Sequence, residues 1–561
     1  MNRLGILAIA LALVGCSRGG GPLWLSADAD ACWTSGTPAF EYRILNHWDN
    51  LDGTVERGYA GSSMWGWGLD SIPEARIREY GVLCSSVGLN GSVLNNVNAS
   101  PLILDEEHLD RVRQIADILR EYGIRTYLSI NFASPMALGG LPTADPLEPS
   151  VRAWWKEKVD LIYSLVPDFG GFLVKACSEG QPGPQDFGRS HADGANMLAE
   201  ALDEHGGIVM WRAFVYAPDS PDRANQAGEE FAPLDGQFAS NVIIQIKNGP
   251  IDFMPREPVS PLFFNLHRTS SMPEFQITQE YLGQSLHLVF LAPMWQEFFK
   301  SWTHASQSRV SNFAIAGVAN TGADENWCGH PFAAANWFAF GRLAWDPALS
   351  AEQIADEWIR GTFPRPRGCT KAKFTKDFVE PVKAMMLSSR EACVDYMMPL
   401  GLHHMMAKDH HYGPGVEYDW PGARRDWLPQ YYHRAGADGV GFDRTEATGS
   451  ANTAQYPEPL RSTYENLETC PENLLLWFHH VPWDYRMNGG GTLWEELQAH
   501  YDSGVAAVGG YIETWESVKE FVDETLWTEV RDKLTIQQAS AEEWRETCLG
   551  YFAKFALDAA E

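Results

Sequence analysis

The 561-residue sequence has no CxxC pair, no HExxH, no G-x-S-x-G, no Walker loop and no dinucleotide fingerprint. Zinc-protease, α/β-hydrolase, P-loop and Rossmann chemistries therefore have no foothold in it. Cations are scarce: 43 Lys and Arg stand against 73 Asp and Glu, for a net charge of −30. That balance argues against nucleic acid or an anionic membrane surface as partner, since both demand clustered Lys and Arg. A cluster of cations in such a chain stands out. The pairs His403-His404 and His410-His411 have no metal-ligand spacing, and no metal or cofactor is expected. The eight cysteines beyond Cys16 are widely spaced, which indicates neither a zinc site nor a disulfide scaffold, though one or two disulfides would suit an oxidising compartment. No internal repeat of fixed period is present.

Long apolar runs are absent too, apart from the opening MNRLGILAIALALVGC. With one basic residue, an apolar stretch and then Leu13-Val14-Gly15-Cys16, it resembles a bacterial lipoprotein signal. The expectation is export, cleavage before Cys16 and a lipid anchor on that residue, facing the periplasm or the cell exterior. Residues 17–38, rich in Gly, Ser, Ala and Asp, read as a flexible tether.

Hydrophobic residues (45%), aromatics (12%) and 22 Trp are present in amounts that can build large cores, and exposed rings suit flat sugars. From residue 39, short apolar runs ending in polar residues alternate with amphipathic stretches. Eight such runs read as strands: 42–46, 88–94, 125–130, 170–174, 207–211, 241–246, 274–278 and 312–318. Eight closes a barrel, so 39–365 is expected to be a (β/α)8 domain. Among its helices, 104–122 places Leu109, Val112, Ile115 and Leu119 on one face; 151–165 and 192–205 fill two more slots. From 366 to 561 helical patterns dominate, at 371–387 with an interruption expected at Pro381, at 493–500 and at 541–557. A mostly α-helical C-terminal domain follows the barrel.

In a parallel barrel the strand ends converge on one rim, where chemistry sits. Polar residues follow each strand, including Asn46-His47-Trp48-Asp49, Asn95-Asn96-Val97-Asn98, Asn131 and Asn320. Three carboxylates fall there, Glu179, Asp252 and Glu280, and three cations, Lys175, Arg212 and Lys247. Glycoside hydrolysis requires a protonated carboxylic acid for the leaving oxygen and an ionised carboxylate to activate water or attack. An apolar wall or a neighbouring negative charge would lift the pKa of the acid. Cations from successive strands suggest a clamp for an anionic group, and the two features together point to an acidic sugar. Pairing within the protein is the competing role for each charge.

The blocks NHWDNLDGTVERGYAG (46–61), NNVNA (95–99), SINFASP (129–135), GGLPTADPL (139–147), EGQPGP (179–184), HADGANMLA (191–199), IKNGPIDF (246–253), REPVSPL (256–262) and QITQEYLG (276–283) resemble glycoside hydrolase family 67, the α-glucuronidases. GFDRTEATGS (441–450) and HHVPWDYR (479–486) are similar too, so the resemblance spans roughly 40–560. It implies a barrel with a helical C-terminal domain that removes α-1,2-linked glucuronic acid, or its 4-O-methyl ether, from xylooligosaccharides with inversion. It further implies Glu179 as general acid, Asp252 and Glu280 as the base side, and Lys175, Arg212 and Lys247 on the uronic carboxylate. Trp48 and Val97 would wall the pocket and Trp427 would stack from the C-terminal domain. Inversion would require acid and base about 6.5–9.5 Å apart.

Two departures from the family pattern stand out. A β-rich domain usually precedes the barrel, whereas only the leader and tether precede it in this sequence, which leaves homodimerisation open. Where the family reads KADSEG, this chain has Lys175-Ala176-Cys177-Ser178-Glu179, and losing that carboxylate would lower the pKa of Glu179. The rival readings are a lipoprotein that binds acidic sugars without cleaving them, and another barrel enzyme acting on uronic acids.

Overall fold

A computed structural model describes residues 34, 36–213, 220–305, 313–406 and 411–556. The leader with Cys16, and Cys32, lie outside the described residues. Eight parallel strands close on themselves: β1 (Tyr42–Asn46), β2 (Gly91–Val93), β3 (Arg125–Ser129), β4 (Gly171–Val174), β5 (Ile208–Arg212), β6 (Val242–Lys247), β7 (Ser271–Gln276) and β8 (Ala314–Val318). Each strand pairs with the next, and β1 returns to β8 in the register Tyr42↔Ala314 to Asn46↔Val318. Most strand residues are fully buried, which is why they read as continuous apolar runs rather than as alternating ones. β7 starts three residues before the expected Glu274, because Pro273, which has no N–H for a ladder, lies inside it.

Helices of more than ten residues alternate with the strands. They are α1 (Glu74–Ser86), α2 (Glu106–Arg120), α3 (Pro149–Leu165), α4 (His191–Asp203), α5 (Ala292–Ala305) and α6 (Ala333–Trp345). In α2 the Asp105 side chain accepts from the His108 N–H, acidic residues fill the first turn and Arg120 the last, and Leu109, Val112, Ile115 and Leu119 face inward. The β6–β7 connection instead carries only a short 3-10 turn, Pro261–Phe264. It is a long loop across the carboxyl end of the barrel, and it carries Asp252.

The rest is helical: α7 (Ala351–Thr362), α8 (Glu380–Met397), α9 (Leu493–Ser517) and α10 (Glu524–Ala556). The expected interruption at Pro381 is a π-helical turn at Thr375–Val379, so the backbone stays helical from Lys371 to Met397. α9 and α10 run well beyond the short segments expected, 25 and 33 residues, because packing among α8, α9 and α10 overrides the weak helix preference of Gly504, Gly509 and Gly510. The seven described cysteines are all free.

Buried charges tie the two halves together. Arg444 places Nε 2.8 Å from Asp222 Oδ2 while its guanidinium lies 3.9 Å from the ring centre of Trp477, and neither charged side chain is exposed by more than 1%. Removing one partner of such a pair leaves an uncompensated charge in the interior. Asp222→Ala is expected to destabilise the fold by about 3–5 kcal/mol, measured as a drop in the denaturant midpoint, whereas an unchanged midpoint would mean that the pair is dispensable.

Candidate active site

The carboxyl ends of the strands open into a cavity of about 410 Å³. All nine residues singled out in the sequence line it: Trp48 after β1, Val97 after β2, Lys175 and Glu179 after β4, Arg212 and Lys247 closing β5 and β6, Asp252 and Glu280 in the loops after β6 and β7, and Trp427 from the C-terminal part. Of the other rim residues Asn98 also lines the cavity, and several do not. Asn46, His47, Asp49 and Asn320 are buried without lining the cavity; His47 bonds Tyr80, and burial pushes the Asp49 carboxyl up to about 8 beside Ser63.

The loop after β4 is built by its backbone. Cys177 (φ 54°) and Glu179 (φ 49°) both adopt left-handed conformations, which bulky residues reach only under local strain, and Gly180 (φ 80°) follows where glycine is at ease. The turn closes with the Gln181 N–H on the Ser178 carbonyl at 3.0 Å. Gly183 is required for a different reason: a Cβ there would lie 2.0 Å from Cys177 Sγ. The Cys177 thiol packs here against Gln185, and burial pushes it up to about 12, so it brings no charge to Glu179 near neutral pH.

The charges pair in a defined order. Lys175, 2% exposed, donates from Nζ to Glu179 Oε2 at 2.6 Å and to Asn98 Oδ1 at 2.8 Å. Glu179 keeps 37% of its side-chain surface open to the cavity and so remains reachable. Burial pushes the Glu179 carboxyl up, but the Lys175 ammonium outweighs it and holds the net value below the usual one. The Glu179 carboxyl therefore differs from the expectation of an acid lifted by its surroundings, and the Lys175 ammonium is the main reason.

Asp252 pairs Oδ1 with Lys247 Nζ, and its Oδ2 lies 3.3 Å from Arg223 Nη2 and 3.5 Å from His404 Nε2. Glu280 receives Arg57 Nε at 2.9 Å, His411 Nδ1 at 3.0 Å and Gln276 Nε2 at 2.9 Å. Burial raises both carboxyls, yet the Lys247 ammonium outweighs it at Asp252, and His411 with Arg57 outweighs it at Glu280: Asp252 is held well below its usual value and Glu280 below its own. Arg212 grips Glu274 through two bonds of 2.6 and 2.8 Å while its guanidinium carbon lies 5.8 Å from the Trp48 ring centre.

Among the described residues, five cations and four carboxylates line the cavity, Arg57, Lys175, Arg212, Arg223 and Lys247 against Glu56, Glu179, Asp252 and Glu280. In a chain of net charge −30 this is a local reversal of sign. At the mouth, Tyr418, Trp420 and Trp427 form a row of rings with centroids 5.1 and 6.4 Å apart.

Two family models cover this architecture, the glycosyl hydrolase family 67 middle domain over residues 26–327 and the family 67 C-terminus over 328–560. The chain belongs to glycosyl hydrolase family 67. Alpha-glucuronidase A of Emericella nidulans is 43% identical over 545 residues, which covers 92% of this chain and 62% of that protein. Alpha-glucuronidase A of Aspergillus tubingensis is 40% identical over 539 residues with the same coverage. The chain thus spans 62% of the length of these curated relatives.

Sequence reasoning missed several lining residues of this family 67 cavity. Glu56 and Arg57 lie inside the block 46–61 but after a turn, out of strand register. Arg223 lies in the connection between β5 and β6 rather than at a strand end, and the sequence offers His404 and His411 only in pairs without metal-ligand spacing. Their signal is that each histidine reaches a different cavity carboxylate, which spacing alone does not reveal. Replacing Lys175 by Met should raise the pH at which Glu179 takes up its proton, followed by 13C NMR of the labelled carboxyl; an unshifted titration would show that Lys175 does not control it.

Proposed function

We propose that this family 67 member is an α-glucuronidase that removes α-1,2-linked glucuronic acid, or its 4-O-methyl ether, from xylooligosaccharides with inversion at the anomeric carbon. The observation that carries the reading is the cation-rich cavity lining with two buried carboxylates, Asp252 and Glu280, and a more exposed one, Glu179, among the cations. A uronic sugar brings one carboxylate for the cations and one glycosidic bond for the carboxylates.

In this reading Glu179, the most exposed of the three, gives its proton to the leaving oxygen. Asp252 and Glu280, kept ionised by their partners, hold and deprotonate the attacking water. Lys175, Arg212 and Lys247 take the uronate carboxylate, Trp48 and Val97 wall the ring, and Trp427 receives the xylose chain. Each cation also holds a protein carboxylate, so recognition and acid strength are linked. When the uronate carboxylate takes Lys175 as its partner, Glu179 loses the ammonium that kept it ionised and gains a nearby negative charge. Both changes raise its pKa, and the acid becomes protonated once substrate is in place. Export and a lipid on Cys16, proposed from the leader sequence, would set this reaction outside the cytoplasm.

Two measurements test this account. Glu179→Ala should lose activity by about 10²–10⁴-fold on xylooligosaccharides and far less on an aryl glucuronide whose leaving group needs no proton; equal losses would contradict the acid role, and 1H NMR should find the β-anomer of the uronic acid released first. The alkaline limb of kcat reports Glu179 in the complex and that of kcat/KM reports it in the free enzyme, so the kcat limb should lie at higher pH. Coincident limbs would contradict the transfer of Lys175 to the substrate.

A further inference from the structure

Behind Asp252 lies a buried chain that the roles above leave unused. Glu257, with no exposed side-chain surface, accepts through Oε1 from the backbone N–H groups of Asp252 (3.0 Å) and Met254 (3.4 Å), and through Oε2 from that of Ile251 (3.4 Å). Its Oε1 is also 2.9 Å from His403 Nε2. The two imidazoles then meet nitrogen to nitrogen, His403 Nδ1 to His404 Nδ1 at 2.7 Å, with rings tilted by 29° and His404 stacked on Tyr432 at 4.4 Å. His404 Nε2 faces Asp252 Oδ2 at 3.5 Å and lines the cavity.

These contacts dictate where the protons are. Glu257 acts as acceptor throughout, so His403 donates from Nε2. A neutral His403 then has a bare Nδ1, which can only accept, and the 2.7 Å bond requires His404 to donate from its own Nδ1. That leaves His404 Nε2 bare, pointing a lone pair at a carboxylate oxygen. Two acceptors face each other with no proton between them.

Resting on the glycosidase reading, we propose that His404 is the terminal proton acceptor of the hydrolytic step, set in its Nδ1–H tautomer by His403 and Glu257. As the water oxygen bonds to the anomeric carbon, its O–H bond breaks and the proton passes to Asp252 Oδ2, then to His404 Nε2. Asp252 returns to carboxylate beside an imidazolium, and the bond to the leaving oxygen breaks with the proton from Glu179. Around His404 the charged and titratable neighbours are Asp252, Arg223, Tyr281, Tyr432 and His403; around His403 they are Glu257, Arg444, Asp252, Tyr432 and His404. Burial keeps both imidazoles below their ordinary values, so a newly formed imidazolium returns its proton to solvent as the product leaves.

The test joins a tautomer measurement to kinetics. In 15N-histidine-labelled protein, with the His404 signals assigned by their loss in His404→Phe, the free protein should show Nδ1 protonated and Nε2 bare. His404→Phe, which keeps a ring against Tyr432, should lower kcat by about 10–100-fold with KM little changed, less than loss of a primary base. The loss should be equal on aryl glucuronides and xylooligosaccharides, because the proton concerned comes from water. A proton on Nε2 of His404 would overturn the relay, as would an unchanged kcat in the variant. If the wild-type protein cleaves no glucuronide, the functional reading falls while the spectrum still decides the tautomer.

Discussion

A buried lysine ammonium 2.6 Å from a carboxylate that faces the cavity is the constraint around which the rest is arranged. Charges removed from water must be paired or they destabilise the fold, and each pair must be held at one geometry to be useful. The barrel supplies that rigidity. Lys175, Arg212 and Lys247 stand at or just beyond the ends of β4, β5 and β6, with backbones set by parallel ladders. Their carboxylate partners come from loops and from β7, whose Glu274 neutralises Arg212. A polar ring is tolerated at the mouth of an apolar core because each of its members has a partner.

The C-terminal helices complete the cavity as well as covering it. Arg223 donates from Nη1 to the Tyr432 hydroxyl at 3.0 Å and from Nη2 toward Asp252, so a barrel loop, a C-terminal tyrosine and a catalytic candidate share one guanidinium. His411, Trp420 and Trp427 reach in from the same part. The Arg444–Asp222 pair and the bidentate Arg256–Glu391 pair hold the halves in register. A shift between the halves would therefore be felt at Asp252 and Glu280.

The barrel was legible because its strands are buried on both faces and read as apolar runs, with polar letters where each run meets the rim. Boundaries slipped where local and tertiary preferences disagree, at Pro273 within β7 and at the glycines of α9. That the nine singled-out residues share one cavity was legible because strand ends converge and because many of them fall in blocks that resemble a known family. Partners separated by long stretches of chain were not. Nothing in the letters places His404 beside Asp252, and the sign of the Glu179 shift depends on a 2.6 Å contact rather than on the neighbouring residue type. Cys177 fills the space that Gly183 leaves open, a packing role that the sequence pattern alone does not show.

The central claim is that one cation serves two carboxylates in turn, that of Glu179 and, on binding, that of the proposed uronic acid. Calorimetric titration of the protein with glucuronic acid in buffers of different ionisation enthalpy counts the protons exchanged on binding. The account predicts net proton uptake, at a pH between the free and bound values of Glu179, that disappears in Glu179→Gln. Binding without proton uptake, or uptake that persists in that variant, would contradict it.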